Sequence, residues 1–262
     1  MQTGNIEMRV HLVYAHPEPK SFCAAMKDTT VACLAEARHQ VTVSDLYAER
    51  FNPVASSADF AMRRDASYLS YALEQRYAVE QDAIAPDVAR EVERALAADI
   101  LILVFPVFWF SLPAILKGWI DRVLSGLFYG GRRFYGRGPM AGRRAIMIAS
   151  MGARSHMFGT GAIRGEIEPM FRHLSRGTLG YVGYTVVEPF WAFHVPYITD
   201  EARNLELVRL REHLARLNSL ASPCIPDLDD YDRECRPILR RPGTKDDCET
   251  PRHSADKNLA RR

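Results

Sequence analysis

A doubly wound α/β fold, a parallel sheet of five strands with helices on both faces, is what this sequence predicts. Three observations predict it. Short apolar runs alternate along the chain with stretches that carry apolar residues at helical spacing, a rhythm that belongs to parallel sheets. The run Ala98-Asp-Ile-Leu-Ile-Leu-Val-Phe105 is apolar without alternation, as a strand covered on both faces must be. The chain has 262 residues, and at about 150 residues per domain this accommodates one large domain with an appendage as well as it does two domains.

Met8–Tyr14 is β-branched and apolar and ends in the Pro-rich turn His16-Pro-Glu-Pro-Lys20, so it reads as a buried strand. Ser21 then stands at an N-cap position before the helix predicted over Phe22–Ala37. Gln40–Asp45 is the second strand and Ala98–Phe105 the third. Ala114–Leu124 is a helix with Pro113 at its start, and Arg144–Ser150 is the fourth strand. Ile163–Leu179 is read as a helix despite Pro169, and Thr185–Pro189 as the fifth strand. Thr199 caps a last helix whose first turn carries Asp200 and Glu201 and whose apolar face is Leu205, Val208, Leu210, Leu214 and Leu217. Two segments depart from the rhythm. Phe51–Asp87 is a long polar insertion before the helix Asp87–Ala97, and after Leu220 a charged, Pro-interrupted run has too few apolar residues for a core. The expected division is therefore a domain over residues 1–220 and a partly disordered arm over 221–262.

Composition narrows the function classes. Hydrophobic residues make up 47% and charged residues 25%, which excludes a wholly disordered chain. Thirty-four basic residues against 32 acidic ones argue against nucleic-acid binding, which needs a basic patch. The longest apolar runs, such as Ile100–Phe110, are too short to span a bilayer, and no signal-like segment opens the chain, so a cytoplasmic protein without membrane insertion is the expectation. Five cysteines, an odd number without a CxxC pair, signal neither a disulfide framework nor a zinc ribbon, and idle thiols are expected even where Cys224, Cys235 and Cys248 lie near His253.

In such a sheet ligands bind beyond the carboxyl ends of the strands, which directs attention to the loops after strands one, three and four. The first loop offers His16, Lys20, Ser21 and the start of a helix, a cradle for phosphate. The plainer reading makes Ser21 only a cap and His16 a surface residue. The loop Pro106-Val-Phe-Trp-Phe-Ser-Leu-Pro113 encloses three aromatics between prolines, which must meet something flat and apolar: core, a dimer contact, or a planar ligand. The third loop, Met151–Phe158, continues into Gly159-Thr-Gly-Ala-Ile-Arg-Gly165, which is not GxGxxG and does not follow a strand directly. A P-loop, a GxSxG elbow and an HExxH helix are absent as well, which disfavours P-loop hydrolysis, α/β-hydrolase chemistry and common zinc hydrolysis.

His16-Pro-Glu-Pro-Lys-Ser-Phe22, Ser44-Asp-Leu-Tyr47, Phe51-Asn-Pro53, Phe105-Pro106 with Trp109-Phe110, and Pro113-Ala-Ile-Leu-Lys-Gly-Trp119 together resemble the flavodoxin-like NAD(P)H quinone oxidoreductases, the DT-diaphorase group. The likeness runs from about Arg9 to Leu220. It implies a flavodoxin-like fold, FAD as cofactor, since the insertion looks like that of the FAD-using members, and NADH or NADPH as hydride donor. By the same resemblance His16, Ser21, Phe22 and Cys23 would hold the pyrophosphate and ribityl chain. Pro106, Val107, Phe108, Trp109 and Phe110 would edge the isoalloxazine, with Ser150, Gly152 and Ala153 beside it and Arg203 near the adenine. The family's active-site tyrosine and histidine fall at Phe158 and Arg164, so Arg164, Phe158 and Trp109 are the catalytic candidates, Arg164 as a fixed positive charge or else a surface arginine. Phe110, Phe128, Tyr129, Arg132 and Tyr181 would face the substrate.

The function these expectations describe is an FAD-dependent NAD(P)H:acceptor oxidoreductase that passes two electrons to a quinone-like acceptor and works as a homodimer, with no resident metal. A flavin-loaded regulatory subunit docking on a potassium-efflux transporter, and a nitro or azo reductase, are the alternatives.

Overall fold

The computed structural model describes residues 7–124, 134–222, 226 and 228–238. Four strands form the body of the sheet: β1 (Arg9–Tyr14), β2 (Gln40–Asp45), β3 (Ile100–Pro106) and β4 (Arg144–Ser150). They are parallel in the order β2-β1-β3-β4. Two short pieces, β5 (Thr185–Val186) and β6 (Phe190–Ala192), both pair with β4 and together make the fifth position. A single strand over Thr185–Pro189 is thus corrected. Pro189 has no N–H to give, and the Glu188 N–H turns to the Ala221 carbonyl, so the ladder breaks there and resumes at Phe190.

Among the described residues six α-helices accompany the sheet: α1 (Phe22–Glu36), α2 (Tyr71–Glu80), α3 (Pro86–Ala97), α4 (Ala114–Trp119), α5 (Ile167–Leu174) and α6 (Asp200–Ala215). α4 runs on into a wider π-type turn over Ile120–Leu124, and α5 into one over Ser175–Gly180. All seven residues of β3 are buried. Its Leu101, Leu103 and Phe105 face α3, α4 and α5, whereas Ile100, Ile102 and Val104 face α1 and α6. That division of one strand between two cores is what removes the alternation from its sequence.

α5 begins at Ile167, four residues later than the sequence predicts, because residues 159–165 close a glycine-rich turn; Pro169 is then tolerated in the first turn of the helix. α6 buries Leu210 and Leu214 and half-buries Leu207, with buried Leu217 just beyond its end. Leu205 and Val208, assigned to the same stripe from the sequence, are 65% and 49% exposed because they sit on the opposite side of the helix.

The insertion after β2 is more ordered than a polar loop. Buried Arg122 donates to Asp59 at 2.8 Å, to Asp87 at 2.9 Å and to the Asn52 carbonyl at 2.6 Å, and stacks on Phe51 with 5.0 Å to the ring centroid. Tyr71 completes the clasp by donating to Asp59. Beside it Gly118 admits the backbone of Pro53, which would stand 2.2 Å from a Cβ at that position. The chain after β6 returns along the edge of the sheet, where Ser222 Oγ donates to the Val186 carbonyl. Of the arm, a turn over Leu228–Asp230 is tied to Arg137 by Asp229.

Candidate active site

Two adjoining cavities open at the carboxyl ends of β1, β3 and β4, where the strand order reverses. The first, about 600 Å³, takes His16, Ser21, Phe22, Cys23, Pro106, Val107, Phe108, Ser150, Gly152 and Arg203 of the residues singled out in the sequence. The second, about 450 Å³, takes Val107, Trp109, Phe110, Gly152, Ala153, Phe158 and Arg164. Val107, Met151 and Gly152 belong to both, so the two form one continuous trough.

The floor of the first cavity is the start of α1. Ser21 caps the helix by accepting from the Ala24 N–H at 3.1 Å, which leaves the Phe22 and Cys23 N–H groups without an intrahelical acceptor. His16 accepts from the Glu18 N–H through Nδ1 at 3.0 Å, and burial holds the ring below its ordinary pKa. The neutral ring therefore carries its proton on Nε2, a donor for a ligand oxygen. Lys20 adds a positive charge. At the far end Arg203 is fixed by Asp200 at 2.6 Å and by the Val195 carbonyl at 3.3 Å. Cys23 is not a nucleophile: burial pushes its thiol up to about 12 despite the neighbouring Ser150.

The second cavity is shaped by a tight turn. The Phe108 N–H donates to the Ser111 carbonyl and the Ser111 N–H to the Phe108 carbonyl, at 2.9 and 3.0 Å. Trp109 and Phe110 between them have φ of 47° and 64°, left-handed values that side chains with a Cβ disfavour. Such strain, about 1–3 kcal/mol per residue, persists where the surroundings enforce it and is concentrated at ligand clamps. It lifts Trp109 almost clear of the protein, 94% exposed, and holds Phe110 over the cavity mouth. Opposite, Gly159 N–H bonds to the Gly165 carbonyl and closes the turn that brings Arg164 back to Phe158. The Arg164 guanidinium lies 4.9 Å from the Phe110 ring centroid and 5.7 Å from that of Phe158. A Cβ on Gly152 would meet only Tyr197, at 3.6 Å, so the strand end presents bare backbone to the trough.

Tyr181 lines neither cavity; it stacks on Phe134 at 5.5 Å and meets Tyr135 edge-on at 5.7 Å. Phe128, Tyr129 and Arg132 lie outside the described residues. His194, Tyr197 and Arg154 line the second cavity without having been singled out. His194 adopts φ of 58°, donates its N–H to the Ala153 carbonyl at 2.8 Å and places Nδ1 3.1 Å from the Gly152 carbonyl. The rule that ligands sit at strand carboxyl ends would have found it, had the fifth strand been carried to Ala192. Among the described residues no group of three or more His, Cys, Asp or Glu side chains could hold a metal ion, and no helix is long and apolar enough to cross a membrane.

The fold and trough define a doubly wound α/β protein with an elongated trough, lined by N–H donors at the start of α1 and by aromatic side chains between Phe110 and the end of β4. A profile of the family described as having a flavodoxin-like fold matches residues 8–214. Among curated proteins, the chain is 34% identical over 208 residues to ribosyldihydronicotinamide dehydrogenase [quinone] of Mus musculus, covering 79% of this chain and 90% of that one. It is 32% identical to NAD(P)H dehydrogenase [quinone] 1 of Cavia porcellus, covering 80% and 77%. Among solved structures, a putative quinone reductase from Klebsiella pneumoniae superposes with a TM-score of 0.79 at 31% identity, over 88% of this chain and 90% of that one. The chain belongs to the flavodoxin-like NAD(P)H quinone oxidoreductase family and is an oxidoreductase.

Proposed function

We propose that the protein is an FAD-dependent NAD(P)H:acceptor oxidoreductase, acting on quinone-like acceptors as a homodimer. The observation that carries this reading is the continuity of the two cavities, from donors suited to phosphate into a slot suited to a flat ring. The residues fit the dinucleotide form of the cofactor. The first cavity continues beyond the phosphate donors of α1 to Arg203, Asn204 and Leu207 on α6, which gives an adenosine a place to lie. Quinone is the acceptor in the relatives' names.

When bound, the flavin supplies a two-electron carrier between the nicotinamide and the acceptor. The protein contributes orientation and electrostatics. The Phe22 and Cys23 N–H groups, with His16 Nε2–H, would hold the pyrophosphate by neutral donors and the helix dipole, and Lys20 would balance its charge. Phe108, Trp109 and Phe110 would cover the ring system, excluding water from it. Arg164, held against two phenylalanine faces and paired with no carboxylate among the described residues, would supply a positive charge beside the ring system.

The test is the absorbance spectrum of the purified protein, with the released cofactor identified by mass. FAD is expected; FMN alone, or no flavin affinity, overturns the proposal. Turnover of a simple quinone by the purified protein without a partner separates the enzyme from a flavin-loaded transporter subunit, and nitro and azo compounds in the same assay rank the acceptor classes.

A further inference from the structure

Next to the ring cavity lies a groove of about 510 Å³ that no step above uses. It joins that cavity through Arg154 and His194, which line both, and through Phe193, whose ring packs on Phe158 at 5.7 Å between centroids. Its other walls are Ser155, His156, Glu206 and Arg209. Glu206, the one carboxylate among them, accepts from Arg209 at 2.6 and 2.7 Å, so these two charges cancel. Arg154 and His156 are exposed and make no side-chain hydrogen bond or ion pair with any described residue. The groove is therefore basic, has an aromatic ring in its wall, and opens onto the place where hydride transfer would occur. A surface of one sign around a cleft concentrates ligands of the opposite sign.

We propose that this groove receives the adenosine and phosphates of the hydride donor, and that Arg154 and His156 bind its 2′-phosphate, making the enzyme selective for NADPH over NADH. The inference rests on the oxidoreductase reading and adds to it the choice of donor. The volume suits a nucleotide half better than a small anionic substituent on an acceptor. The two donors differ by one phosphate, and a groove with uncompensated basic groups and no free carboxylate gains from that phosphate without repelling it.

Binding separates the inference from the activity on which it rests. Titration calorimetry of the flavin-loaded protein compares adenosine 2′,5′-bisphosphate with adenosine 5′-monophosphate, neither of which carries a nicotinamide. The bisphosphate is expected to bind at least about tenfold more tightly at low salt, with the advantage shrinking as salt rises. Arg154→Gln should reduce that ratio about tenfold and Arg154→Lys should restore part of it. The kcat/KM ratio of NADPH to NADH should fall in parallel in the glutamine variant. Equal affinity for the two nucleotides, or an unchanged ratio in Arg154→Gln, overturns the proposal. Absence of NAD(P)H oxidation together with tight bisphosphate binding would instead defeat the enzyme reading and leave the groove's ligand class standing.

Discussion

Arg164, exposed at the mouth of the second cavity, faces the rings of Phe110 and Phe158, and no carboxylate among the described residues pairs with it. A charge-assisted contact contributes about 1.5–3 kcal/mol, or about a ten- to hundred-fold change in rate when fully expressed in the transition state. Arg164→Met is expected to slow flavin reduction by NAD(P)H by that factor in stopped-flow and to lower the flavin potential, with FAD content nearly unchanged because ring and phosphates are held elsewhere. An unchanged rate and potential would make the arginine structural. Phe158→Tyr, which adds the hydroxyl that the family resemblance implies at this position, should raise quinone turnover. A second residue matters to stability alone. Glu91 is buried beneath the sheet, where burial would push its carboxyl up. The His11 ring 3.8 Å away and hydrogen bonds from Trp119 at 2.7 Å and Ser44 at 3.0 Å outweigh burial and hold it at about 2, below its ordinary 4.5; Arg94 also donates to it at 2.7 Å. The depression corresponds to roughly 3 kcal/mol of folding stability. Because the folded-state pKa is the lower one, this contribution is present above about pH 4.5 and is lost as the pH falls toward 2. Glu91→Gln should be less stable by that order at pH 7 in urea unfolding, and the two profiles should converge in acid. Parallel profiles would show that the carboxylate is not what the network stabilises.

At the scale of elements, the turn between β3 and α4 combines left-handed backbone with exposed aromatic side chains. Trp109 takes a left-handed φ with its side chain 94% exposed, so in the flavin-free monomer it strains the chain and packs almost nothing. Trp109→Asn, a residue that tolerates this conformation, is expected to raise the stability of flavin-free protein by about 1 kcal/mol. The same variant should release FAD at least about tenfold faster if the indole covers the ring, as fluorescence recovery on dilution would report. A variant neither more stable nor faster to release would show that the turn holds no strain for the ligand.

For the whole molecule, the mouth of the second cavity carries exposed apolar side chains. Trp109, Phe110 and Tyr197 line it, and Ile163, beside Arg164, is 88% exposed. A monomer seldom leaves such a patch open to water, and a second copy would cover it. Sedimentation at micromolar concentration should give a species of about twice the 29.7 kDa chain mass, and Trp109→Asp should shift it toward the monomer. A wild-type monomer with flavin bound overturns the dimer.

The order and type of the main elements were legible because each rests on a local pattern. The unbroken apolar run of β3, the Ser21 and Thr199 caps and the turn residues after β1 need no distant partner to be recognised. The motifs Phe51-Asn-Pro53 and Lys117-Gly-Trp119 marked the family by resemblance. Only the tertiary structure explains them: Gly118 makes room for the Pro53 backbone, and Trp119 donates to buried Glu91. α2 escaped notice because its buried residues Glu74, Gln75 and Ala78 are polar or small; Glu74 caps the Arg64 and Asp65 N–H groups, so the helix shows no apolar stripe. The resumption of the fifth strand at Phe190 depended on a hydrogen bond between Glu188 and Ala221, far along the chain. With that strand went His194 and the basic groove beyond it. Local periodicity and capping thus determined the strands, the larger helices and the capped start of α1. The walls of the ring cavity and its neighbouring groove come from segments distant in sequence, and no local signal brings Arg154, Arg164 and His194 together; packing of the whole sheet does.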